Sequence, residues 1–276
     1  MKWPTPNSSP NRLQQQIQEL LDKDADDDNS NNFRLDVDKQ VIRQIIGLSF
    51  AEEPGFKWGM EGFDRNQVLK TQEELVHFSR FVHSVPLLED LEAPLHFQLC
   101  QVESSEEGDE VVVSCASLHA CESTKPSGPM WLRRIRNAWK MTIQIIKILY
   151  GFGDSFPSAV RSSYMSQLEA KMQPFIDHVD DWHFEYGPSG EHWYLHLIGV
   201  NPAYNGRGKG TIMMNKICNL ADELGKDIYL EACGKKLNGY YERFGFEVRG
   251  VETLADPEDN SNTLDVHLMV RCAPQR

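Results

Sequence analysis

Hydrophobic residues return at helical spacing in several segments of the chain. Between Val37 and Phe50, apolar residues recur every three to four positions, which predicts an amphipathic helix. The same pattern, with Gly or Pro near many of the ends, predicts further helices at 67–83, 131–150, 162–178, 210–224 and 238–244.

Stretches of alternating and β-branched residues predict strands. PLHFQLCQVE and EVVVSCASLHA stand on either side of the acidic turn SSEEGD, a pattern typical of a β-hairpin. Further strands are predicted at 192–200, 227–232, 246–254 and 263–271. Because strands and helices mix without strict alternation, the pattern indicates an α/β (α+β) fold with a mixed sheet, and disfavours a barrel or a doubly wound parallel sheet.

The N-terminal segment differs in composition from the rest of the chain. Residues 1–32 are rich in Pro, Ser, Asn and Gln and contain an acidic run that begins at Asp22. Such a segment predicts a disordered acidic and polar tail with no core to bury, in which only Leu13 to Leu21 could form a short helix. We expect residues 33–276 to form one domain.

Composition and charge narrow the classes of partner. The formal net charge of the 276 residues is −13, which disfavours binding to nucleic acid and favours binding of cationic substrates. The sequence contains no apolar run that predicts a membrane span and no apolar signal core. Six scattered cysteines without a CxxC pair predict buried thiols of a reducing, cytoplasmic compartment. We expect a monomer or a homodimer.

A glycine-rich stretch, IGVNPAYNGRGKGT at 198–211, predicts a loop that binds an anion. A Walker A loop is excluded because Tyr204 stands where its first glycine belongs, and a dinucleotide fingerprint is excluded because Thr211 replaces its last glycine. A loop that opens a helix presents backbone N–H groups at the positive helix end, and its glycines allow close approach of a phosphate. A glycine turn without a ligand is the alternative.

The order of motifs in this region resembles the GCN5-related N-acetyltransferase (GNAT) superfamily. A strand ending in GVNP is followed by NGRGKG, an amphipathic helix and, about thirty residues later, YERFGF. Asn205 stands where the family pattern has Gln or Arg, whereas Gly208 and Gly210 match it. The stretch LEACGKKLNGYYERFGF looks like the puromycin N-acetyltransferase group. The resemblance is specific from about 192 to 251.

The resemblance implies a fold, a reaction and a set of binding residues. It implies a mostly antiparallel central sheet flanked by helices, with a helical insertion at about 122–180 before the cofactor-binding strand. It implies acetyl-CoA as co-substrate, no metal, and transfer of the acetyl group to a primary amine, for which a small molecule is favoured. The residues that it implies for acetyl-CoA binding are Ile198, Gly199, Val200, Asn205, Gly206, Arg207, Gly208, Lys209, Gly210, Thr211 and Asn238.

Two side chains are candidates for proton transfer. Tyr241 matches the family tyrosine that protonates the leaving thiolate, although a core aromatic residue is the alternative. Strand alternation predicts that Tyr194, His196, Ile198 and Val200 share one face, so His196 is the candidate base. A structural role for His196 is equally compatible with the pattern. The rival bases are Glu185, Glu191 and His192.

Metal binding by His192 and His196 is disfavoured, because no cysteine or carboxylate completes a ligand set at a useful spacing.

The segment WLRRIRNAWKMTIQIIKILY combines an apolar stripe with five cations. It could contact a membrane or a partner. The favoured interpretation is a helix packed over the substrate cleft, with its cations paired to carboxylates of the same chain.

Two other functions stay open from the sequence. One is a non-catalytic module that keeps the GNAT fold and binds acyl-CoA. The other is a protein or peptide N-acetyltransferase.

Overall fold

A computed structural model describes residues 10–25, 32–61, 69, 71–92, 95–105, 108–157 and 164–274. The helices are α1 (Pro10–Ala25), α2 (Lys39–Phe50), α3 (Pro54–Gly59), α4 (Gln72–Glu92), α5 (Met130–Gly151), α6 (Tyr164–Tyr186), α7 (Lys209–Glu223) and α8 (Lys235–Glu242). The strands are β1 (Asn32–Arg34), β2 (His96–Ser104), β3 (Glu110–Glu122), β4 (Glu191–Val200), β5 (Ile228–Cys233), β6 (Glu247–Ala255) and β7 (Thr263–Arg271).

Seven strands form one sheet in the order β1-β2-β3-β4-β5-β7-β6. Every neighbouring pair is antiparallel except β4 and β5, which run parallel. Helices cover both faces, and α5 and α6 are inserted between β3 and β4. The expected mixed, mostly antiparallel sheet with a helical insertion before β4 is confirmed.

The two faces of the sheet carry separate cores. On the first face, Trp193 and Leu230 belong to the largest cluster, which includes buried residues of α1, α7 and α8. On the second face, Tyr194 and Tyr229 pack in a cluster with Trp182 of α6, while α2 packs against Leu197. The alternation of β4 and β5 therefore divides their side chains between two different environments.

Helix α1 corrects the expectation for the N-terminal segment. Leu13, Ile17 and Leu21 are buried in the core of the first face, and Gln14 Nε2 donates a hydrogen bond to the His96 carbonyl at 3.1 Å. The expectation of a tail with no core to bury is therefore wrong for α1. These three apolar residues recur every four positions and form a narrow stripe. The polar residues around them lower the mean hydropathy of the segment, so an average over the segment does not reveal the stripe. Residues 1–9 and 26–31 lie outside the described residues.

Two helices extend beyond the predicted segments. Helix α4 continues through Pro86, which lies beyond its predicted end at 83, and α6 continues past its predicted end at 178 to Tyr186 and also contains Pro174. The predicted start of α4 at 67 falls partly in 62–68, which lie outside the described residues. Proline removes one backbone donor, and packing on the sheet and on neighbouring helices outweighs that loss here.

The six cysteines are free thiols, as predicted. Four of them are buried, Cys233 is half-buried and Cys272 is exposed.

Candidate active site

Strands β4 and β5 separate soon after they begin to pair. Their only two paired positions are Trp193 with Ile228 and Tyr194 with Tyr229. Beyond them β4 stays paired with β3 up to Val200, and β5 stays paired with β7 up to Cys233. The main chain of β4 from Ile198 to Val200 therefore has no strand partner on the side of β5, although Ser49 Oγ donates a 2.7 Å hydrogen bond to the Val200 carbonyl.

A β-bulge in β4 changes the faces that its side chains occupy. Leu118 of β3 pairs with Leu195, and the adjacent Ser117 pairs with Leu197, so His196 is the extra residue. His196 stacks on Tyr194, with ring centroids 5.1 Å apart. Ile198, in contrast, packs against the core of the first face.

The expectation that Tyr194, His196, Ile198 and Val200 share one face is therefore wrong. The bulge shifts the alternation by one position, so Ile198 lies across the sheet from His196. Val200 lies on the same face as Ile198, since its Cγ2 lies close to Gly210 of α7. Sequence periodicity cannot reveal a bulge, because the pairing with β3 determines where the extra residue is placed.

The loop between β4 and α7 forms a tight turn before the helix. Asn205 N–H donates to the Pro202 carbonyl at 3.1 Å, and Arg207 N–H donates to the Tyr204 carbonyl at 3.3 Å. These two N–H groups are thus used within the turn. Gly206 and Gly208 have φ angles of 75° and 74°, with open space where a Cβ would stand. Backbone conformation, and not crowding, requires glycine at both positions.

The N-terminus of α7 offers the anion-binding groups that the sequence predicts. Gly208 caps the helix, so the N–H groups of Lys209, Gly210 and Thr211 precede the first helical hydrogen bond, which Ile212 N–H donates to Gly208. A Cβ on Gly210 would lie 3.0 Å from Tyr240 Oη and 3.4 Å from Val200 Cγ2. Glycine at this position therefore lets α7 approach both β4 and α8.

The two loop cations are held by other side chains of the protein. Lys209 forms an ion pair with Glu103 of β2. The Arg207 guanidinium lies 5.3 Å from the centroid of the Tyr204 ring. Lys209 can therefore reach a phosphate only in competition with Glu103.

Helix α8 places two predicted residues beside β5. Asn238 Oδ1 is buried without a hydrogen-bond partner among the residues that the structure describes. Tyr241 is buried against Phe246 and Tyr240. Burial raises the pKa of Tyr241, and Tyr240 and Glu53 raise it further. Tyr241 therefore keeps its proton at neutral pH, as a general acid must.

Glu231 of β5 is a candidate that the sequence analysis missed. Tyr194 Oη donates a 2.5 Å hydrogen bond to Glu231 Oε2, and the second carboxylate oxygen is buried without a hydrogen-bond partner among the described residues. Burial raises the pKa of Glu231 to about 7, and the charge of His196 opposes this rise. A carboxyl group with such a pKa can exchange protons at neutral pH. The sequence does contain one indication, since Glu231 is an acidic residue within the apolar strand IYLEAC.

Aromatic residues lie around His83 of α4, close to the same face. Phe50 and Phe56 lie 4.5 Å and 5.4 Å from the His83 ring. His83 Nδ1 lies 2.8 Å from the Ser79 carbonyl, to which it donates. Burial, with a smaller contribution from His196, lowers the pKa of His83 to about 4. His83 is therefore neutral and contributes shape more than charge.

The rival bases occupy other positions. Glu191 forms an ion pair with Lys226 at the start of β4, and Glu185 is an exposed residue of α6. His192 is buried, and its Nδ1 donates to the Gly190 carbonyl at 2.7 Å. None of these three residues lies where β4 and β5 separate.

The structure brings Cys121 and His183 to His192. The His192 Nε2 atom lies 3.6 Å from Cys121 Sγ and 2.7 Å from His183 Nε2, and all three ligand atoms lie within 4.8 Å of one another. The expectation that no cysteine completes a ligand set with His192 is therefore wrong. The spacing between the nitrogens fits an N–H···N hydrogen bond donated by His183, while three such ligands could also hold a thiophilic cation such as Zn²⁺. His196 is not a member of this group.

Part of this region matches a known protein family. Residues 175–246, which include β4, the loop, α7, β5 and α8, match the model of the Acetyltransferase (GNAT) family. This part of the chain is similar to the GNAT family. A search of curated protein sequences finds no significant match. Similarity to the puromycin-type group within the GNAT superfamily stays a prediction.

Solved structures with a similar fold include several acetyltransferases. A Corynebacterium glutamicum structure described as histone acetyltransferase HPA2 and related acetyltransferase has 16% identity and a TM-score of 0.46, over 90% of this chain and 98% of that chain. Arylalkylamine N-acetyltransferase 2 from Aedes aegypti has 14% identity and a TM-score of 0.47, over 88% and 99%. Mosquito arylalkylamine N-acetyltransferase like 5b has 13% identity and a TM-score of 0.48, over 88% and 100%.

Proposed function

We propose that this GNAT protein transfers an acetyl group from acetyl-CoA to the primary amine of a small molecule. One observation carries the proposal. The carboxyl group of Glu231, with a pKa of about 7, lies where β4 and β5 separate, beside the unpaired main chain of β4.

The residues that would hold acetyl-CoA lie on α7, α8 and β4. The N–H groups of Lys209, Gly210 and Thr211 face the position of a pyrophosphate at the start of α7. The unpartnered Asn238 Oδ1 can accept a hydrogen bond from an amide N–H of the pantetheine arm. The main chain from Ile198 to Val200, which has no strand partner on the side of β5, would contact the same arm. Bound acetyl-CoA supplies the thioester that the amine attacks.

The contribution of the individual loop side chains is smaller in this proposal. Asn205 and Arg207 form the turn through their N–H groups, and Gly206 and Gly208 supply its conformation. The turn therefore orients the first N–H groups of α7 more than it contacts the phosphates with side chains.

Glu231 is the proposed general base. An alkylammonium group must lose a proton before it can attack, and a carboxylate with a pKa near 7 is about half ionised at neutral pH. The proton passes to Glu231, either directly or through His196, which stacks on Tyr194 beside it. Tyr194 keeps Glu231 oriented through its hydrogen bond. The nitrogen then forms the amide bond as the carbon–sulfur bond breaks.

Tyr241 is the proposed general acid. The departing thiolate takes the phenolic proton of Tyr241, whose raised pKa ensures that the proton is present. The nitrogen carries one proton too many after it forms the amide bond, and the loss of this proton restores the phenol. Glu53 and Cys233 lie close enough to Tyr241 to affect its pKa, and Cys233 is affected in turn by Glu231. Cys233 of β5 thus neighbours both the proposed acid and the proposed base, and Glu53 at the start of α3 neighbours the proposed acid.

The surroundings favour a cationic acceptor. Glu53 and Glu231 are acidic, the net charge of the chain is −13, and aromatic rings surround the nearby His83. Negative potential attracts an ammonium ion, and aromatic rings pack against an apolar side chain.

Calorimetric titration with acetyl-CoA and an assay of free CoA thiol test the proposal together. The assay is run with a panel of small amines and with a panel of peptides. Binding with turnover of small amines supports the proposal, and turnover of peptides alone assigns the acceptor to proteins. Binding without turnover of either panel favours a non-catalytic acyl-CoA module. Absence of binding overturns the proposal.

A further inference from the structure

Helix α5 presents a long apolar stripe to solvent. Trp131, Trp139 and Tyr150 are 60%, 67% and 85% exposed. The stripe is completed by Leu132, Ile135, Ile143 and Ile146, each of which is at least 45% exposed. These positions recur every three or four residues, so they lie on one side of the helix. Exposure of this many large apolar side chains on one helix marks a surface that contacts something else.

The opposite side of α5, which faces the protein, carries buried polar groups. Arg133 and Gln144 are buried there together with Ile148, which packs against Phe81 of α4. Arg133 donates to both carboxylate oxygens of Asp181 on α6, at 3.0 Å and 2.8 Å. The ion pairs of α5 hold it in an orientation that leaves the apolar stripe outside.

The favoured sequence interpretation of this helix is therefore only partly correct. Arg133 pairs with Asp181 and Arg134 pairs with Asp177, so pairing of cations with carboxylates of the same chain is confirmed for both. Packing of the apolar stripe over a cleft is wrong. Periodicity shows that a stripe exists, but it does not show which side the protein covers.

The charge of α5 indicates which surface the stripe fits. The helix contains five cations and no Asp or Glu, in a chain with a net charge of −13. Arg136, Lys140 and Lys147 are exposed and, at helical spacing, lie along one edge of the stripe. An apolar surface with two tryptophans and a cationic edge is complementary to a bilayer that contains anionic lipid.

We propose that α5 binds in the plane of a lipid bilayer with anionic headgroups. The apolar stripe enters the boundary between headgroups and acyl chains, and Arg136, Lys140 and Lys147 lie against the phosphates. Among the described residues, no helix is both long enough and apolar enough to cross a bilayer. Antiparallel contact between two copies of the chain through the same face would bring the cationic edges of both copies together, which opposes that arrangement.

Vesicle flotation of the full chain tests the proposal. The vesicles contain phosphatidylcholine alone or phosphatidylcholine with phosphatidylserine. We expect binding to the anionic vesicles, with a blue shift of tryptophan emission, and at least about tenfold weaker binding to the neutral ones. The variant Trp131→Ser/Trp139→Ser/Ile143→Ser should lose binding. The control Ile176→Ser/Phe184→Ser, which removes exposed apolar side chains of α6, should retain it.

A charge variant tests the role of the cations, and a measurement of mass tests whether a second copy of the chain covers this face instead. Arg136→Gln/Lys140→Gln/Lys147→Gln should weaken binding to anionic vesicles by at least about tenfold, and circular dichroism should show unchanged helix content. Absence of binding to anionic vesicles overturns the proposal, as does equal binding by the Trp131→Ser/Trp139→Ser/Ile143→Ser variant. A dimer in sedimentation that this variant breaks, without vesicle binding by the native chain, assigns the face to a second copy.

Discussion

The Tyr194 hydroxyl donates a 2.5 Å hydrogen bond to Glu231 Oε2 directly beyond the last paired position of β4 and β5. The bond joins the two strands where their backbones no longer do. It also fixes one oxygen of a carboxyl group whose pKa burial raises to about 7. The other oxygen is buried beside Tyr229.

Replacement of Glu231 by Gln should remove the general base. If the carboxylate is the active form, kcat/KM of the native protein rises with pH and levels off above about 7. We expect Glu231→Gln to lower kcat/KM about 100-fold at pH 8 and to abolish that rise. Steady-state kinetics from pH 5.5 to 9 with a good amine substrate measures both. The control is Glu242→Gln, an exposed carboxyl group of α8. A rise that persists in Glu231→Gln would assign the base to another residue, with His196→Ala as the next variant.

The same replacement should increase stability at high pH. A carboxyl group with a folded-state pKa of about 7 and an ordinary value of 4.5 binds its proton more tightly in the folded chain. Its contribution to the free energy of unfolding is complete below pH 4.5 and is lost as pH rises through 7. Gln carries no charge, so the stability of Glu231→Gln does not depend on this ionisation. We therefore expect the free energy of unfolding of the variant, measured relative to that of the native chain, to be about 1–3 kcal/mol higher at pH 8 than at pH 5. Urea titrations at both pH values measure the difference, and an equal effect at the two values would contradict the raised pKa.

Replacement of Tyr241 by Phe tests the general acid. The ring packing of Tyr241 against Phe246 is kept in the variant, and only the hydroxyl is lost. We expect kcat to fall about 100-fold, with the Kd for acetyl-CoA unchanged. Single-turnover kinetics and calorimetry measure the two quantities. Unchanged kcat would leave Tyr241 with a role in the core alone.

Replacement of Gly210 by Ala tests the approach of α7 to α8. The added methyl group would lie 3.0 Å from Tyr240 Oη, so either Tyr240 or the start of α7 must shift by a few tenths of an ångström. We expect about tenfold weaker binding of acetyl-CoA by Gly210→Ala. The double variant Gly210→Ala/Tyr240→Phe removes the clashing hydroxyl and should recover part of the affinity. Gly239→Ala, where the methyl group enters open space, is the control. Normal affinity in Gly210→Ala would show that the anion site does not depend on this contact.

Replacement of Ile17 by Ala tests whether α1 belongs to the core. Ile17 is fully buried, and its truncation leaves a cavity against the sheet. We expect the free energy of unfolding to fall by about 2–4 kcal/mol, measured by urea titration. Gln16→Ala, on the exposed side of the same helix, should change it by less than about 0.5 kcal/mol. A negligible effect of Ile17→Ala would return α1 to the expectation of a solvated segment.

Periodicity predicted most of the helices and strands of this chain, because each buries one regular side. It could not predict β1, which is only three residues long and depends on pairing with β2. The expectation of a mostly antiparallel sheet and the role of the loop at 198–211 came from the resemblance to GNAT proteins. The loop geometry agrees with that expectation at the start of α7, where the N–H groups are free of helical bonds.

The parts of the site that the sequence did not reveal depend on contacts between distant segments. His196 is the extra residue of β4 only because Leu195 and Leu197 pair with adjacent residues of β3. Glu231 acquires a pKa near 7 only because α helices and aromatic side chains bury it. Neither effect can be read from the local spacing of residue types, since each is set by tertiary packing.

The bulge at His196 gives β4 two independent uses. Up to the bulge, the side chains of Tyr194 and His196 lie on one face of the sheet, and after it the main chain has no strand partner on the side of β5. In the proposed reaction the first part of the strand serves the acceptor and the second part serves the donor. Substitution of His196 should therefore alter the choice of amine while the donor half of the strand keeps its shape, whereas Tyr194 must stay because it orients Glu231.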